Sequence, residues 1–416
     1  MKITIDYGKE HLHMQIDEKD LLGILYPRKI SSPGDSSQII KQALANPIGS
    51  GPLKETVKPG EKIAIVTSDI TRPCPSRDIL PPLLEELTCA GIRDEDVTIY
   101  FALGSHRGHT RKEMENLVGT GIFSRYRCED HDVGQCIRLG ATSRGTPVDI
   151  NRQVITADRR ILVGNIEYHY FAGYSGGVKA MFPGISSTDA IQANHSMMLL
   201  EGATTGNLLN NPVREDLEEI AGFTHIDLIL NVVLGPHKEI LRAFAGHYIH
   251  AHREGCRFLD SLYRIPLEDT ADIVLVSAGG FPKDINIYQA QKALDNAVHA
   301  VRKGGVIIWA ASCIEGYGSD VFRRWIEESR EPGDIIERIR ANFELGGHKA
   351  AAIMKAREKA NILFLSELPP EYAESMYLTY CPSLSWAISK ASELTGGRNR
   401  TLVMPYGGST LPYIGK

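Results

Sequence analysis

Arg160-Ile-Leu-Val163 runs into Gly-Asn-Ile-Glu167-Tyr-His-Tyr-Phe-Ala-Gly-Tyr-Ser-Gly-Gly-Val-Lys-Ala-Met-Phe-Pro-Gly184. A short apolar run bounded by glycines reads as a buried strand, and the stretch after it as a loop leading to a helix over Thr188–Leu200. The loop carries His169, Gly173, Ser175, Gly176, Gly177 and Lys179, and His195 lies on the helix. Glycine lets a backbone approach a ligand, lysine supplies charge or a nucleophile, and histidine supplies a proton or a metal ligand. Packing alone has no use for that combination. It points to a cofactor pocket.

The same order of apolar run and amphipathic segment recurs on both sides. Ile63–Thr67 precedes a helix over Ile79–Ala90, and Val97–Ala102 precedes one over Lys112–Leu117. Ile226–Leu234 precedes a segment from Ile240 to Tyr263 that reads as helical. Repeated β-then-α order predicts an α/β fold with largely parallel sheets covered by helices. Residues 2–16 predict a hairpin around Gly8, and the stretch from Arg28 to about Gly60 is rich in Ser, Pro and Gly with a helical piece near Gln38–Ala45.

Near Pro266–Thr270 a second set begins: strand Ile273–Val276, helix Ile287–Val301 and strand Val306–Ala310. Helices over Asp320–Ala341 and His348–Lys359, strand Ile362–Leu365, helix Ser383–Leu394 and strand Thr401–Met404 follow. The expected division is an α/β domain over 1–268, a second over 269–404, and a tail over 405–416 packing back on the first. An active-site cleft is expected between the two domains.

Composition sets the limits. At 416 residues the chain has room for two or three domains, and 43% hydrophobic with 23% charged residues is ordinary for a soluble protein. A net charge of −5 gives no basic excess, which argues against a nucleic-acid partner. Seven scattered cysteines form no Cys-x-x-Cys pair, so neither a disulfide framework nor a zinc finger is indicated. No signal-peptide core and no membrane-length apolar run is present, so a cytoplasmic protein is expected.

Three further loops follow apolar runs: Ser68-Asp69-Ile-Thr-Arg72-Pro73, Leu103-Gly-Ser-His106-Arg-Gly-His109, and Ser277-Ala-Gly-Gly-Phe-Pro-Lys-Asp284. In open α/β sheets ligands bind beyond the carboxyl ends of the strands. If the first three strands share a sheet, Arg72, His106 and His169 converge at one rim. Each residue also has a plain reading: Asp69 as a helix cap, Arg72 in a surface ion pair, His106 and His109 solvated, His169 half-buried among aromatics. On the helix after Asn286, Tyr288, Gln289 and Lys292 can share one side, as a site or as a solvated face.

Several chemistries are excluded by motif. The Walker pattern, the dinucleotide Gly-x-Gly-x-x-Gly and His-Glu-x-x-His are absent. No glycosidase-like carboxylate pair stands out. What remains is a pocket of histidines, arginine and lysines suited to an anionic small molecule and proton transfer. A metal held by one or two histidines stays open.

Taken together, Asp69-x-Thr-Arg-Pro73, Gly104-Ser-His106-Arg107, Glu167-x-His169 through Gly-Gly-Val-Lys179, His195, and Gly279-Gly-Phe-Pro-Lys-Asp284 through Tyr288-Gln-Ala-Gln-Lys292 resemble the nickel-pincer lactate racemases and related 2-hydroxyacid racemases and epimerases. The resemblance spans nearly the whole chain. It implies an isomerase that moves a hydride reversibly to a nickel-pincer nucleotide, a pyridinium-3-thioamide-5-thiocarboxylic acid mononucleotide carrying Ni(II), made by separate cofactor-synthesis proteins. It further implies that Lys179 is the tether, His195 the metal ligand, and His106 and His169 the acid/base pair. Arg72, Tyr288, Gln289, Lys292 and Phe171 are implied to meet the substrate, and Asp69, Gly173, Ser175, Gly176 and Gly177 the cofactor. The region around His348 has no tryptophan to wall the substrate pocket, which leaves the substrate's side chain undetermined. Two other readings stand beside this one: a nickel-free enzyme abstracting a proton next to a carboxylate, and a binding protein for an anionic metabolite.

Overall fold

The apolar runs form two six-stranded sheets in the computed structural model, which describes residues 1–28, 34–235 and 238–415. Two units result, and each is taken by itself. The first comprises the described parts of Met1–Lys29 and Leu262–Lys416, the second the described parts of Ile30–Ser261.

The sheet of the second unit runs in the order Ile240–Gly246, Leu228–Leu234, Arg159–Asn165, Ile63–Ser68, Val97–Ala102, Arg127–Asp130. All neighbours are parallel except the first pair. The central strands are buried along nearly their whole length, as a sheet covered on both faces requires. Chain order runs from Ile63–Ser68 to Val97–Ala102 on one side, and Arg159–Asn165 lies on the other. That reversal makes a topological switch point, where loops diverge and leave a crevice at the carboxyl ends.

In the first unit six parallel strands run in the order Thr379–Cys381, Ala360–Leu365, Val301–Ala310, Ala271–Ser277, Thr401–Met404, Leu21–Ile24. The hairpin of Lys2–Tyr7 and Glu10–Gln15 packs its Ile3, Ile5 and Met14 into the core of this unit. The expected division therefore changes at both ends. Residues 1–28 belong with the C-terminal part because Leu21–Ile24 adds an edge strand beside Thr401–Met404. The tail strand Leu411–Ile414 pairs with Arg264–Leu267 inside this same unit rather than returning to the other one. Residues 29–33 of the Ser/Pro/Gly-rich stretch and residue 416 of the tail lie outside the described residues.

Three elements differ from their expectation for local reasons. Ile240–Gly246 is an antiparallel strand, and the helix begins only at His250. Gly246 marks the change: its φ is 133° and a Cβ there would stand 2.2 Å from the Ile48 carbonyl oxygen. Pro332 at a helix start divides Asp320–Glu328 from Pro332–Ala341, since proline cannot continue a helix but suits its first turn. The helix Ile287–Ala297 stops four residues early, and Val301 opens the next strand. Among the described residues no helix is long and apolar enough to cross a membrane.

Candidate active site

Three loops leave adjacent strands at the switch point of the second unit. The one after Ile63–Ser68 carries Asp69 and Arg72, the one after Val97–Ala102 carries His106, and the one after Arg159–Asn165 carries His169. Asp69 is 2% exposed. Its Oδ1 accepts from the Thr71 backbone N–H at 3.1 Å and from the Thr71 hydroxyl at 2.8 Å, while Oδ2 bonds His106 Nδ1. Burial pushes the Asp69 carboxyl up, but the His106 bond and charge together with Thr71 outweigh it and hold the group below the usual range. Asp69 thus pairs with a histidine of the neighbouring loop.

His109, three residues on, is a structural bridge. Its ring is nearly inaccessible, Nδ1 sits 2.6 Å from Asp130 Oδ1, and Nε2 accepts from the Ile70 N–H at 3.2 Å. It thereby fastens the His106 loop to the Asp69 loop. Arg107 forms an exposed ion pair with Glu113 and takes no part.

Around Phe171 the third loop gathers the remaining groups. The Phe171 ring lies edge-on to His169 at 4.5 Å and to His195 at 5.0 Å between centroids, and Lys179 Nζ stands 5.9 Å over it. His195 comes from the helix Thr188–Ser196, capped by Ser187. Its Nδ1 faces Asn194 Oδ1 at 3.2 Å, so it donates there and leaves Nε2 with a lone pair. His169 is turned the other way: its Nδ1 accepts from the Ala172 N–H at 3.3 Å, so the neutral ring carries its hydrogen on Nε2.

Burial is the main reason that His169, His195 and Lys179 all sit well below their ordinary pKa values. Neighbouring cations push the same way: Lys179 then Arg72 on both histidines, Arg214 then Arg72 on Lys179. Glu167 acts against this on Lys179 but more weakly. The lysine is thus biased toward the free amine, the nucleophilic form.

Arg214 is the functional residue that sequence reasoning missed. It is fully buried at the start of the helix Pro212–Ala221. Its Nε donates to the Ala172 carbonyl at 3.2 Å and its Nη2 to the Tyr174 carbonyl. Asn211, the cap of that helix, donates to the Phe171 carbonyl at 2.9 Å, and His252 Nε2 donates to that of Ser175 at 2.8 Å. Three side chains thus hold four carbonyls of the loop between Phe171 and Ser175. The only forward signal was Asn211-Pro212, which marks a helix start and says nothing of where Arg214 points.

The loop glycines prove to be demanded by the protein itself. Gly173, Gly176 and Gly177 all have positive φ, at 75°, 72° and 62°. A Cβ on Gly173 would lie 2.1 Å from the Asn207 carbonyl oxygen, and one on Gly176 would lie 2.8 Å from Asn231 Oδ1. Gly177 N–H donates to Asn231 Oδ1, and the Ser175 hydroxyl accepts from Glu167 N–H while donating to the Asn165 carbonyl. These donors are satisfied inside the fold.

In the first unit, Asn286 caps the helix that carries Tyr288, Gln289 and Lys292. Tyr288 is half-buried, edge-on to His348 at 6.1 Å, with Lys349 Nζ 5.3 Å over its ring; Gln289 and Lys292 are exposed. The buried Lys349 also donates to Gln291 at 2.7 Å.

A protein-only metal site is absent: among the described residues no cluster of three or more His, Cys, Asp or Glu side chains could hold an ion. A buried imidazole that donates through Nδ1, near a buried lysine whose pKa is pushed down, suits a metal whose other donors arrive with an organic cofactor. The residues present fit such a group.

Imidazoles and cations gathered at the switch point of a parallel α/β unit make a site able to bind an anion and move protons. Comparison with known proteins narrows the class. Residues 7–206 match the family model described as the lactate racemase N-terminal domain, and residues 267–411 the lactate racemase C-terminal domain. The lactate racemase of Thermoanaerobacterium thermosaccharolyticum is 36% identical over 98% of both chains, and that of Lactiplantibacillus plantarum is 32% identical over 97% of this chain and 98% of its own. The structure of the Thermoanaerobacterium thermosaccharolyticum apoprotein superposes with a TM-score of 0.90 at 34% identity, covering 99% of this chain and all of that one. A Thermotoga maritima protein, at 18% identity and TM-score 0.66, shares the fold. The chain belongs to the lactate racemase family and is an isomerase.

Proposed function

We propose that this isomerase interconverts the enantiomers of a 2-hydroxyacid, lactate or a larger relative, with a nickel-pincer nucleotide tethered at Lys179. The observation that carries the reading is Lys179 itself, a fully buried lysine whose pKa burial, Arg214 and Arg72 push down, over the ring that His169 and His195 also touch. Surface lysines are charged and solvated; a buried lysine biased toward the amine is suited to covalent attachment. His195, through Nε2, would hold the nickel. When bound, the cofactor supplies a hydride acceptor beside the substrate's α-carbon.

The chain's own residues then bind, orient and move protons. Arg72 fixes the substrate carboxylate by charge-assisted hydrogen bonds, which holds the hydroxyl-bearing carbon in place. His106 and His169 exchange the hydroxyl proton, a task for imidazole because its ordinary pKa is near neutrality. Tyr288, Gln289 and Lys292 are assigned further substrate contacts on the strength of the family resemblance. Seven free cysteines suit a reducing compartment and support a cytoplasmic setting.

Intact-protein mass after expression beside cofactor-making enzymes tests the tether. A covalent adduct with stoichiometric nickel, lost in Lys179→Ala, is expected. An unmodified protein under conditions that load another lactate racemase would leave only the nickel-free and binding readings.

A further inference from the structure

Asp69, Thr71 and His106 form a closed hydrogen-bond arrangement whose polarity can be read off without ambiguity. The Thr71 hydroxyl has one hydrogen and gives it to Asp69 Oδ1 at 2.8 Å. Toward His106 Nδ1, 3.4 Å away, that hydroxyl can therefore only accept. Asp69 Oδ2, on the other side of the same nitrogen, is a carboxylate oxygen and also accepts. Two acceptors on Nδ1 require that it carry the hydrogen. The neutral ring is then bare at Nε2.

We propose that Asp69 is a positioning residue that fixes this tautomer, and that His106 is thereby the enzyme's resting proton acceptor while His169 is not. The inference rests on the racemase reading and deepens it by making the two histidines unequal. At His106 the hydroxyl proton of the substrate passes to Nε2, the O–H electron pair stays on oxygen, and the imidazolium formed keeps its Nδ1–H on the Asp69 carboxylate. His169 in the same state presents Nε2–H, because the Ala172 N–H occupies its Nδ1. A substrate hydroxyl facing His169 meets a donor, and that ring must be released from Ala172 before it can take a proton.

The arrangement also dictates what an amide would do at position 69. In Asp69→Asn the two Thr71 donors hold the amide oxygen on their side, so the amide NH2 faces His106 Nδ1. That nitrogen must now accept, and the hydrogen moves to Nε2. In the Ser-His-Asp triad a wrong-tautomer substitution of this kind costs about 10⁴ in kcat.

The test is 15N NMR of the imidazoles in the nickel-loaded enzyme, alongside turnover of both lactate enantiomers. Wild type is expected to show His106 protonated at Nδ1, and Asp69→Asn to show it protonated at Nε2. Turnover should fall by about 10⁴-fold with the Lys179 adduct mass unchanged. Asp69→Asn/Thr71→Val removes the hydroxyl and leaves only the backbone N–H to hold the amide oxygen, so the oxygen can turn to Nδ1 in part of the molecules and recover part of the loss. An unchanged His106 tautomer in Asp69→Asn, or Nε2–H already in wild type, overturns the inference and leaves the racemase reading intact. A switched tautomer with undiminished turnover overturns the acid/base reading of His106 itself.

Discussion

Replacing Arg214 by methionine separates the loop clamp from the stability of the unit that holds it. Methionine keeps most of the buried stem and removes the guanidinium. The carbonyls of Ala172 and Tyr174 lose charged donors at about 1.5–3 kcal/mol each, a gross loss of about 3–6 kcal/mol. Against this, Arg214 is a fully buried cation whose Nη1 makes no hydrogen bond and stands 3.8 Å from Glu218. Removing a poorly paired buried charge returns roughly several kcal/mol of desolvation. Glu218 is not stranded, because Arg253 holds both its oxygens at 2.8 Å. The two terms are of similar size, so the net cost to global stability should be no more than about 3 kcal/mol. Catalysis has no such compensation. The backbone between His169 and Lys179 loses two anchors, and a displacement of ~1 Å at a reacting group costs about 10²-fold. Urea unfolding, adduct mass and kcat/KM measured on the same preparation decide the matter. A modest midpoint shift with kcat/KM down by about 10²-fold or more is expected. Turnover within a few-fold of wild type would show that the loop keeps its shape without Arg214, and the clamp argument would be wrong.

Other outcomes follow from the same geometry. Gly173→Ala should lose about 1–3 kcal/mol from its backbone conformation alone, and more from the clash with Asn207, as read by thermal unfolding. Arg72→Lys should raise KM for the hydroxyacid far more than it changes adduct mass, because a point charge does not replace a planar fork. His131 donates Nε2–H to the Ser186 carbonyl at 3.0 Å and accepts at Nδ1 from Asn151, and burial holds its pKa below the usual value. Its unfolded form binds a proton that the folded form refuses, so its contribution is complete above about pH 6.5 and is lost as pH falls below. Urea midpoints from pH 8 to pH 5 should fall less steeply in His131→Gln than in wild type.

The alternation of apolar runs with amphipathic segments was enough to foresee two largely parallel sheets, because strands covered on both faces must be apolar along their length. It also placed Asp69, Arg72, His106 and His169 at strand ends, which in such sheets are the functional rim. Their adjacency depended on strand order, and strand order is set by long-range packing that no local pattern carries. For the same reason the hairpin of residues 2–16 looked as if it belonged to the chain that follows it, when its apolar face fits the sheet formed by residues 271–404. Ile240–Gly246 was misread because Ile, Leu, Ala and Phe suit a helix as well as an edge strand. At the site, Asp69 was legible as a polar strand-end residue but its bond to His106 was not. Glycines 173, 176 and 177 were legible as special, but the close neighbours Asn207, Asn231 and His252 that leave no room for a Cβ were not. Arg214, an ordinary residue in an amphipathic helix by pattern, gave no signal at all.

The racemase reading is tested most directly with L-lactate deuterated at the α-carbon and the nickel-loaded enzyme in ordinary water. The D-lactate formed should retain its deuterium, because under the proposed hydride transfer the α-hydrogen would not pass through solvent. Inversion with the deuterium exchanged into water would mean proton abstraction instead, and no inversion of any 2-hydroxyacid would leave a binding protein.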